Sequence, residues 1–361
     1  MNITSACMGN LNLALTALFK KMGLSYVSPP PVSERTYEIG FALSPEQVCL
    51  PFKVCMGNYV EAIENGADTI VMAGGNGPCR FGLYGVLQEK LLFEAGYRVN
   101  MMILDQDNVF KVFTELAAMA KISYAGIISS FLFAWKVLRL SEKNGKLARF
   151  YRAHTSGKKA VDKIENEIDG LLFKVETNRQ IEKLQRELAY YYSSNIKADI
   201  DKRDVLKIGL LGEIYMLLDS SANMNIERRL GYLNVWTDRT IYLSSWLLKL
   251  SFLDFFSKNS YRAQKRVALS YISSDVGGKG VQSIASAITF ARSGYDGLIH
   301  ITPLSCMPEL VASSILPKVC EDYRMPCLYL TFDGHTAAAA FVTRLEAYVD
   351  MLKMGGRTNG R

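Results

Sequence analysis

Several signatures that commonly reveal a function are missing from this sequence. It contains no CxxC motif, so zinc ribbons and ferredoxin-type ligation are excluded by spacing. Neither GxGxxG nor GxxxxGK(S/T) occurs, and the glycine-rich loops at 74–77 and 276–280 are weak evidence for a nucleotide site. The three histidines, His154, His300 and His335, are too scattered for a histidine-based metal site, although one could join other ligands. No nucleophile–His–Asp constellation and no ATPase motif can be assigned.

The chain also lacks a long hydrophobic run. Its longest uncharged apolar stretch, Ile122–Trp135, has 14 residues, whereas a membrane-spanning helix needs about 20. This stretch therefore predicts a buried core helix and no membrane partner. No basic residues precede the first apolar residues, so we expect no signal peptide. Seven cysteines without a signal peptide indicate a reducing compartment, and we predict a cytoplasmic protein.

A concentrated charge of one sign is absent as well. The 42 basic and 35 acidic residues give a net charge of +7, a small excess over 361 residues. This excess is compatible with a phosphorylated ligand or an acidic partner, but it does not form the basic face that nucleic acid binding needs. The densest basic stretch, Lys258–Arg266, is typical of a solvated loop. Apolar residues make up 49% and charged residues 21%, as in folded globular proteins.

The order of predicted elements indicates an α/β protein with two lobes. Residues 1–107 alternate short apolar runs with helical patterns, which predicts a parallel sheet covered on both faces. Residues 108–203 predict a helical insertion or bridge, and residues 204–361 predict the second α/β lobe. The predicted strands are 3–6, 24–28, 69–73, 99–104, 205–214, 267–272, 297–301 and 327–332. The predicted helices are 11–22, 51–65, 80–95, 226–232, 241–256, 281–291, 308–323 and 336–354, besides those of the middle segment.

An internal repeat supports two similar, doubly wound lobes. Gly66-Ala-Asp68 and Gly294-Tyr-Asp296 each precede a strand, and a cysteine follows 13 residues after the first glycine and 12 after the second. These cysteines are Cys79 and Cys306, and each is followed by a helix and by a strand that ends in Asp, at Asp105 and Asp333. Each cysteine thus lies just past the carboxyl end of a strand, where open α/β sheets bind ligands.

A third cysteine belongs to the same pattern. Cys49 stands seventeen residues before Gly66, and the counterpart in the second lobe is Gly277. A proline within two residues of Cys49, Cys79 and Cys306 predicts that each lies at a helix N-terminus, where an anionic sulfur is favoured. Three thiolates facing one cleft would make a metal site, and widely spaced sulfurs suit a 4Fe-4S cluster with one iron left open. The alternative is three buried, inert cysteines.

The remaining candidate functional residues are four cysteines, three acidic residues, one histidine and one lysine. We interpret Cys7, Cys55, Cys320 and Cys327 as core positions. Glu213 and Glu309 lie near the predicted cleft, but the helix dipole already favours a glutamate at a helix start, so Glu309 needs no catalytic role. His335 after Asp333 is typical of a loop-capping histidine, and Lys279 is positioned to meet a phosphate.

Particular stretches of both lobes resemble the 2-hydroxyacyl-CoA dehydratase and benzoyl-CoA reductase superfamily. They are CLPFK (49–53) and GNYVEAIENGADTIVMAGGNGPCRFGLY (57–84) in the first lobe, and GYDGLIHITPLSCMPE (294–309), ILPKV (315–319) and YLTFDGHTAAAAFVTRLEAYVDML (329–352) in the second. The similarity is to a branch associated with ATP-dependent CoA-enzyme activases. It implies two flavodoxin-like lobes and a 4Fe-4S cluster between them, held by the cysteines that match Cys49, Cys79 and Cys306 here.

The resemblance also implies a reaction and its partners. An ATP-dependent activase of the actin/Hsp70-like class would supply a low-potential electron, and an acyl-CoA or another small substrate would receive it. Characterised dehydratases pair two different subunits, so a related subunit or a homodimer is expected. Three alternatives stay open: a non-catalytic electron-transfer or scaffold subunit, a metal-free two-lobed binding protein, and a double-cubane cluster reductase. The last would need Cys55, Cys320 or Cys327 as extra ligands, and Cys55 falls on a different helix face from Cys49.

Overall fold

The structure is a computed structural model and describes residues 1–75, 79–104, 109–197, 205–245 and 261–358. It confirms the α/β class, with two sheets that each contain four parallel strands. The chain forms two compact units. The first contains Met1–Leu140 and Leu172–Ile181, and the second contains Ser141–Leu171 and Glu182–Arg361. The division of the chain at residues 107 and 203 stays a prediction.

The two sheets have the same strand order. The first sheet is ordered β2-β1-β3-β4 and the second β6-β5-β7-β8, so in each the first and third strands lie side by side at the centre. The strands are β1 (Asn2–Thr4), β2 (Ser25–Tyr26), β3 (Thr69–Ala73), β4 (Asn100–Leu104), β5 (Leu206–Gly212), β6 (Val235–Arg239), β7 (Gly297–Pro303) and β8 (Cys327–Phe332).

Helices connect the strands and fill the middle of the chain, where α5 to α8 confirm the predicted helical segment. The helices that precede β5 are α1 (Leu11–Lys21), α2 (Glu34–Leu43), α3 (Leu50–Glu64), a 3-10 helix (Arg80–Leu83), α4 (Tyr84–Glu94), α5 (Val109–Ala120), α6 (Tyr124–His154), α7 (Lys158–Phe173) and α8 (Asn178–Asn195). Those that follow are α9 (Ile214–Leu218), α10 (Ile226–Tyr232), α11 (Tyr261–Ala268), α12 (Gly280–Arg292), α13 (Met307–Asp322) and α14 (Ala338–Thr358).

The repeated Gly-x-Asp motif has the same role in both units. The Asp68 carboxylate accepts a hydrogen bond from the backbone N–H of Asn2 at 3.0 Å, and the Asp296 carboxylate accepts one from that of Lys207 at 2.8 Å. The same aspartates donate their own N–H groups back to the carbonyls of Asn2 and Lys207. The glycine two residues earlier has a positive φ in each unit, which lets the helix turn into the strand. These contacts confirm the repeat, whose remaining landmark Asp105 lies outside the described residues.

Opposite faces of the central strands pack against different helices. In the first unit, Val71 of β3 belongs to a core with α1, β4 and α5, whereas Met72 accepts a hydrogen bond from Tyr59 of α3. In the second unit, Leu298 of β7 belongs to a core formed mainly by α12 and α13. The neighbouring Gly297 faces Tyr348 and Leu352 of α14. Because successive side chains of a strand point to opposite faces, each sheet has helices on both faces.

Three differences from the predicted elements concern short or irregular segments. The predicted strand at 267–272 is wrong, because residues 261–268 form α11 and the strand beside β5 is the unpredicted β6. Apolar side chains of 267–272 pack against the core of the second unit from the end of this helix, and a short apolar run does not distinguish the two structures. Helix α2 was not predicted. The predicted helix at 241–256 lies largely outside the described residues.

Two glycines bring α2 and α3 into backbone contact. A Cβ atom at Gly57 of α3 would lie 2.0 Å from the carbonyl oxygen of Thr36, and one at Gly40 of α2 would lie 2.1 Å from that of Lys53. The hydroxyl of Thr36 also donates a hydrogen bond to the Glu61 carboxylate at 2.7 Å. Helix α3 is therefore fixed against α2 by contacts that leave no space for an added methyl group.

We expect Gly57→Ala to destabilise the protein by about 2–3 kcal/mol, because the two helices must separate to admit the methyl group. A shift of the urea unfolding midpoint measures this effect. Gly170→Ala is the matched control: this glycine lies in α7 with nothing within 4 Å of the added Cβ. It should be stabilising by up to about 1 kcal/mol through helix propensity. Equal effects of the two substitutions would contradict the close approach at Gly57.

Most of the apolar stretch Ile122–Trp135 lies in α6. The prediction of a buried core helix is only partly correct, because Ile127 and Phe133 are buried but Ile128 and Leu132 are more than half exposed. None of the helices in the described ranges combines the length and the apolar composition that a membrane-spanning helix needs. The helices Lys111–Ala120 and Tyr124–His154 pass that test only as a pair, and they are bent by 98° relative to each other.

Candidate metal centre

The three cysteines predicted as cluster ligands share one local setting. Cys49, Cys79 and Cys306 are the N-cap residues of α3, the 3-10 helix and α13. Their backbone is extended, with φ between −82° and −70°, and Pro51 and Pro308 lie in the first turn of α3 and α13. The expected position at a helix N-terminus is thus confirmed for all three. Backbone N–H groups and the positive end of the helix dipole favour an anionic sulfur there.

In the first unit, Cys49 and Cys79 lie on neighbouring segments at one edge of the sheet. The Arg80 guanidinium donates a hydrogen bond to the carbonyl of Gln47 at 2.9 Å, which joins the loop of Cys79 to that of Cys49. The Tyr84 hydroxyl contacts the Cys49 sulfur. Cys79 follows β3, and α3 leads back to the start of β3, so both cysteines lie at the carboxyl edge of the first sheet.

In the second unit, Cys306 occupies the position that corresponds to Cys79. It follows the third strand of its sheet by three residues and is 7% exposed. The preceding residue, Ser305, has a φ of 64°, which turns the chain sharply between β7 and α13.

The counterpart of Cys49 in the second unit differs from the one obtained by counting. Gly277 lies in a turn with a φ of 72°, two residues before Lys279. Helices α3 and α12 end two residues before Gly66 and Gly294, but α12 has 13 residues and α3 has 15. Lys279 is therefore the N-cap of α12 and stands where the first unit has Cys49.

Glu309, three residues after Cys306 in the chain, is part of a buried network of hydrogen bonds. Glu309, in the first turn of α13, is fully buried, and its carboxylate is 2.8 Å from Nε2 of His300 in β7. The hydroxyl of Ser283 in α12 donates to the same carboxylate, at 2.9 Å to one oxygen and 3.1 Å to the other. The Ser313 hydroxyl donates to the Glu309 carbonyl at 2.8 Å. Glu309 thus ties the helix that begins after Cys306 to β7 and α12, a role beyond the favourable dipole expected from its position.

This network was not predicted from the sequence. His300, Ser283 and Glu309 come from a strand and two helices, and no fixed spacing relates a buried strand histidine to a helix-start glutamate. Because successive side chains of a strand point to opposite faces, His300 lies on the same face of β7 as Leu298, but which helices that face contacts depends on how the strand pairs.

Glu213 lies at the carboxyl end of β5, beside the third strand of the same sheet. It is the N-cap of α9, and its carboxylate accepts a hydrogen bond from the Met216 N–H at 2.9 Å. Burial disfavours the charged form and raises the pKa of Glu213 to about 7; the nearby Glu309 carboxylate adds to this, whereas the capping hydrogen bonds and Lys279 oppose it. Glu213 is thus a carboxyl group that exchanges a proton near neutral pH.

The wild type is expected to lose folding stability as the pH rises through about 7, and Glu213→Gln should abolish this loss. Because the pKa of about 7 in the folded protein exceeds the ordinary 4.5, the folded state binds this proton more tightly than the unfolded chain. The resulting stabilisation is fully present below the ordinary pKa and is lost as the pH rises through about 7. Near pH 8 the variant, which keeps a capping oxygen, should be more stable than the wild type by about 1–3 kcal/mol, and near pH 4 the two should agree. Urea unfolding across this range measures the difference; parallel profiles would contradict it.

The remaining cysteines separate into two groups. Cys7 and Cys55 are buried, as predicted for core positions, and the Asn12 amide donates a hydrogen bond to the Cys7 sulfur at 3.3 Å. Cys320 and Cys327 are only half-buried. They lie near the end of α13 and at the start of β8, at the amino edge of the second sheet, whereas Cys306 lies beyond its carboxyl edge.

This separation bears on the double-cubane alternative. Strand β8 has six residues, which at about 3.3 Å each span nearly 20 Å. Ligands at the two ends of the strand are too far apart to bind one compact cluster. Cys320 and Cys327 are therefore poor candidates for extra ligands beside Cys306.

The loop after β8 is organised by Asp333. Its carboxylate accepts hydrogen bonds from the His335 N–H and the Thr336 hydroxyl, both at 2.9 Å. The pKa of Asp333 is lowered: burial opposes this shift, but the hydrogen bonds from His335 and Thr336 favour the charged form. Asp333 thus supplies capping contacts in this loop, and the loop-capping role of His335 stays a prediction.

The sulfurs at these positions are the donors that the implied cluster would require. None of the seven cysteines forms a disulfide. Across the described ranges, no group of three or more His, Cys, Asp or Glu side chains is arranged to hold a metal ion. Cys49 and Cys79 belong to the first unit and Cys306 to the second. The chemistry of the donors, three cysteine sulfurs at helix N-termini, fits an iron–sulfur cluster.

Comparison with known protein families finds no matching family model, and comparison with curated proteins finds no match either.

Proposed function

We propose that this chain is an iron–sulfur protein in which Cys49, Cys79 and Cys306 hold one 4Fe-4S cluster. Its function would be to pass a low-potential electron to a substrate, as in the 2-hydroxyacyl-CoA dehydratases and benzoyl-CoA reductases that its motifs resemble. The observation that carries the proposal is the shared setting of the three cysteines, each an N-cap residue at the carboxyl edge of its own sheet.

The strand order supports the flavodoxin-like, doubly wound lobes that the resemblance implies. Each sheet has its second strand at one edge followed by the first, third and fourth, which are the first four strands of the flavodoxin-like order. Such sheets bind ligands at the carboxyl ends of the strands where the order reverses, between the first and third strands. Cys79 and Cys306 follow the third strand of their sheets, and Glu213 follows the first strand of the second sheet.

The local structure around the cysteines would favour the thiolate form of the sulfur, which is the form that binds iron. The N-termini of α3 and α13 supply N–H groups and a positive dipole end, which lower the pKa of a thiol. When bound, a 4Fe-4S cluster with three protein ligands would supply a low-potential electron and one open iron position. Glu213, with its pKa of about 7, could donate or accept a proton on the second-unit side of the site.

The partners belong to the same proposal. An ATP-dependent activase of the actin/Hsp70-like class would reduce the cluster, and an acyl-CoA or another small molecule would be the substrate. Lys279, at the N-terminus of α12 beside Glu213, would suit the phosphate of such a substrate. We place the protein in the cytoplasm, where a reducing environment keeps the thiols available, and it would act alone, as a homodimer or with a related subunit.

Turnover with a CoA-enzyme activase tests the catalytic part of the proposal. Anaerobic protein, loaded with iron and sulfide, would be mixed with the activase, ATP and a panel of acyl-CoA compounds. Consumption of a substrate only when ATP and activase are both present supports an enzyme. Reduction of the bound cluster without consumption of any substrate would instead identify an electron-transfer or scaffold subunit.

A metal-free binding protein with two α/β lobes is the second candidate. This candidate requires no metal-binding group, and within the described ranges no three His, Cys, Asp or Glu side chains are arranged to hold a metal ion. In that case the N-terminal ends of α3 and α13 would bind an anionic ligand rather than a cluster. Protein that stays free of iron after anaerobic reconstitution would support this candidate.

A further inference from the structure

Two cysteines of the second unit lie together on one face of its sheet. Cys327 begins β8 and Tyr329 follows two residues later, so both side chains point to the same face. These residues pair with Leu298 and His300 of β7, whose side chains face α12 and α13. Cys320 approaches this face from the last turns of α13, with its sulfur 4.0 Å from the Tyr329 hydroxyl. Cys320 and Cys327 therefore both lie beside Tyr329, and the two side chains are close enough for each to shift the pKa of the other.

The local backbone holds the pair in a defined geometry. The Met325 N–H donates a hydrogen bond to the Cys320 carbonyl at 2.8 Å, which fixes the turn that leads from α13 to β8. Cys320 and Cys327 pack against the same core cluster but remain half-buried, so a small reagent can reach them. The buried Cys7 and Cys55 lack this access.

The two thiols differ in the direction in which their pKa is shifted. The pKa of Cys320 is lowered, chiefly because the neighbouring Cys327 thiol hydrogen-bonds to its charged form; burial opposes the shift and the Tyr329 hydroxyl assists it. The pKa of Cys327 is raised by the same hydrogen bond to Cys320, by burial and by the charge on Cys320. Reactivity follows the thiolate fraction, so Cys320 is suited to attack first and Cys327 to react second.

We propose that Cys320 and Cys327 form a reversible disulfide by exchange with a low-molecular-weight disulfide such as oxidised glutathione. The Cys320 thiolate attacks one glutathione sulfur, the glutathione disulfide bond breaks, and the released thiolate takes up a proton. The Cys327 thiol then loses its proton and attacks the Cys320 sulfur of the mixed disulfide, which expels the second glutathione as a thiol. The two protein thiols give up two electrons and two protons, and oxidised glutathione is reduced to two molecules of the thiol.

The site is distinct from the proposed metal centre. Helix α13 begins after Cys306 at the carboxyl edge of the sheet, and the disulfide would fasten its other end to β8 at the amino edge. The modification does not require a bound cluster. Transient redox-sensing disulfides of this kind do occur in reducing compartments.

Peptide mapping of the full chain tests the proposal. The reduced protein is incubated with oxidised glutathione, free thiols are blocked, and the protein is digested with trypsin without reduction. Trypsin cleaves after Lys318, Arg324 and Arg344, so the disulfide would join the peptides 319–324 and 325–344. We expect this linked pair to form in the wild type and to disappear on addition of dithiothreitol.

Variants distinguish the two roles. In Cys327→Ser, glutathione should stay attached to Cys320, because the second thiol is missing. In Cys320→Ser, the remaining Cys327 should stay largely unmodified under the same conditions. Cys55→Ser is the matched control and should form the linked peptides like the wild type. Because the wild-type digest is decisive alone, misfolding of a variant does not affect the outcome. Glutathione on both cysteines without a link, or both remaining reduced while other cysteines react, would overturn the proposal.

Discussion

Cys306→Ser is expected to abolish cluster binding, lowering the iron content after anaerobic reconstitution from about four atoms per chain to less than one. The substitution removes a sulfur ligand but leaves the fold of α13 intact, because serine is a favoured N-cap residue. Loss of iron would then report ligation rather than unfolding. Iron and sulfide analysis measures the content, and far-UV circular dichroism checks the helices.

Cys327→Ser is the matched control for this experiment. It lies in the same unit but at the opposite edge of the sheet, so it should retain the full iron content. Cys320→Ser and Cys55→Ser should retain it as well. Iron loss in any of these three variants would favour the double-cubane alternative, and undiminished iron in Cys306→Ser would contradict the assignment of Cys306 as a ligand.

Glu309→Ala is expected to lower the free energy of unfolding by about 3 kcal/mol or more. The substitution leaves the buried His300 imidazole and Ser283 hydroxyl without their shared acceptor, and each unsatisfied buried group costs about 1–3 kcal/mol. The first turn of α13 would also lose its contact with β7. Urea unfolding of the protein without iron measures the change.

Two variants show whether the loss arises from this network. Glu309→Gln keeps the side-chain volume and one acceptor oxygen, and should cost less than the alanine variant. Glu321→Ala, at an exposed site in the same helix, should change stability by less than about 0.5 kcal/mol. If Glu309→Ala and Glu321→Ala had equal effects, the buried contacts of Glu309 would contribute no net stability.

The local parts of the structure were the most predictable from sequence. Proline beside Cys49 and Cys306 marks the first turn of a helix, because its ring fixes φ and its missing N–H is not needed there. The paired motifs at Asp68 and Asp296 were recognisable because each must repeat the same turn from a helix into a strand. Such features depend on residues that are close in the sequence.

Features that depend on distant contacts were not predictable in the same way. The strand at Val235–Arg239 was missed, although it pairs with β5, because this edge strand lacks the apolar run that identified the central strands. The contact of Cys320 with Tyr329 and the network around Glu309 join residues from separate elements. Only the register of β7 and β8 brings these side chains to one face.

Anaerobic reconstitution of the wild-type chain with ferrous iron and sulfide tests the proposed cluster most directly. One 4Fe-4S cluster predicts about four iron atoms and about four sulfides per chain, with a broad absorption in the blue region of the visible spectrum that dithionite bleaches. A colourless protein that still lacks iron and sulfide after this treatment would contradict the cluster and leave Cys49, Cys79 and Cys306 as inert thiols.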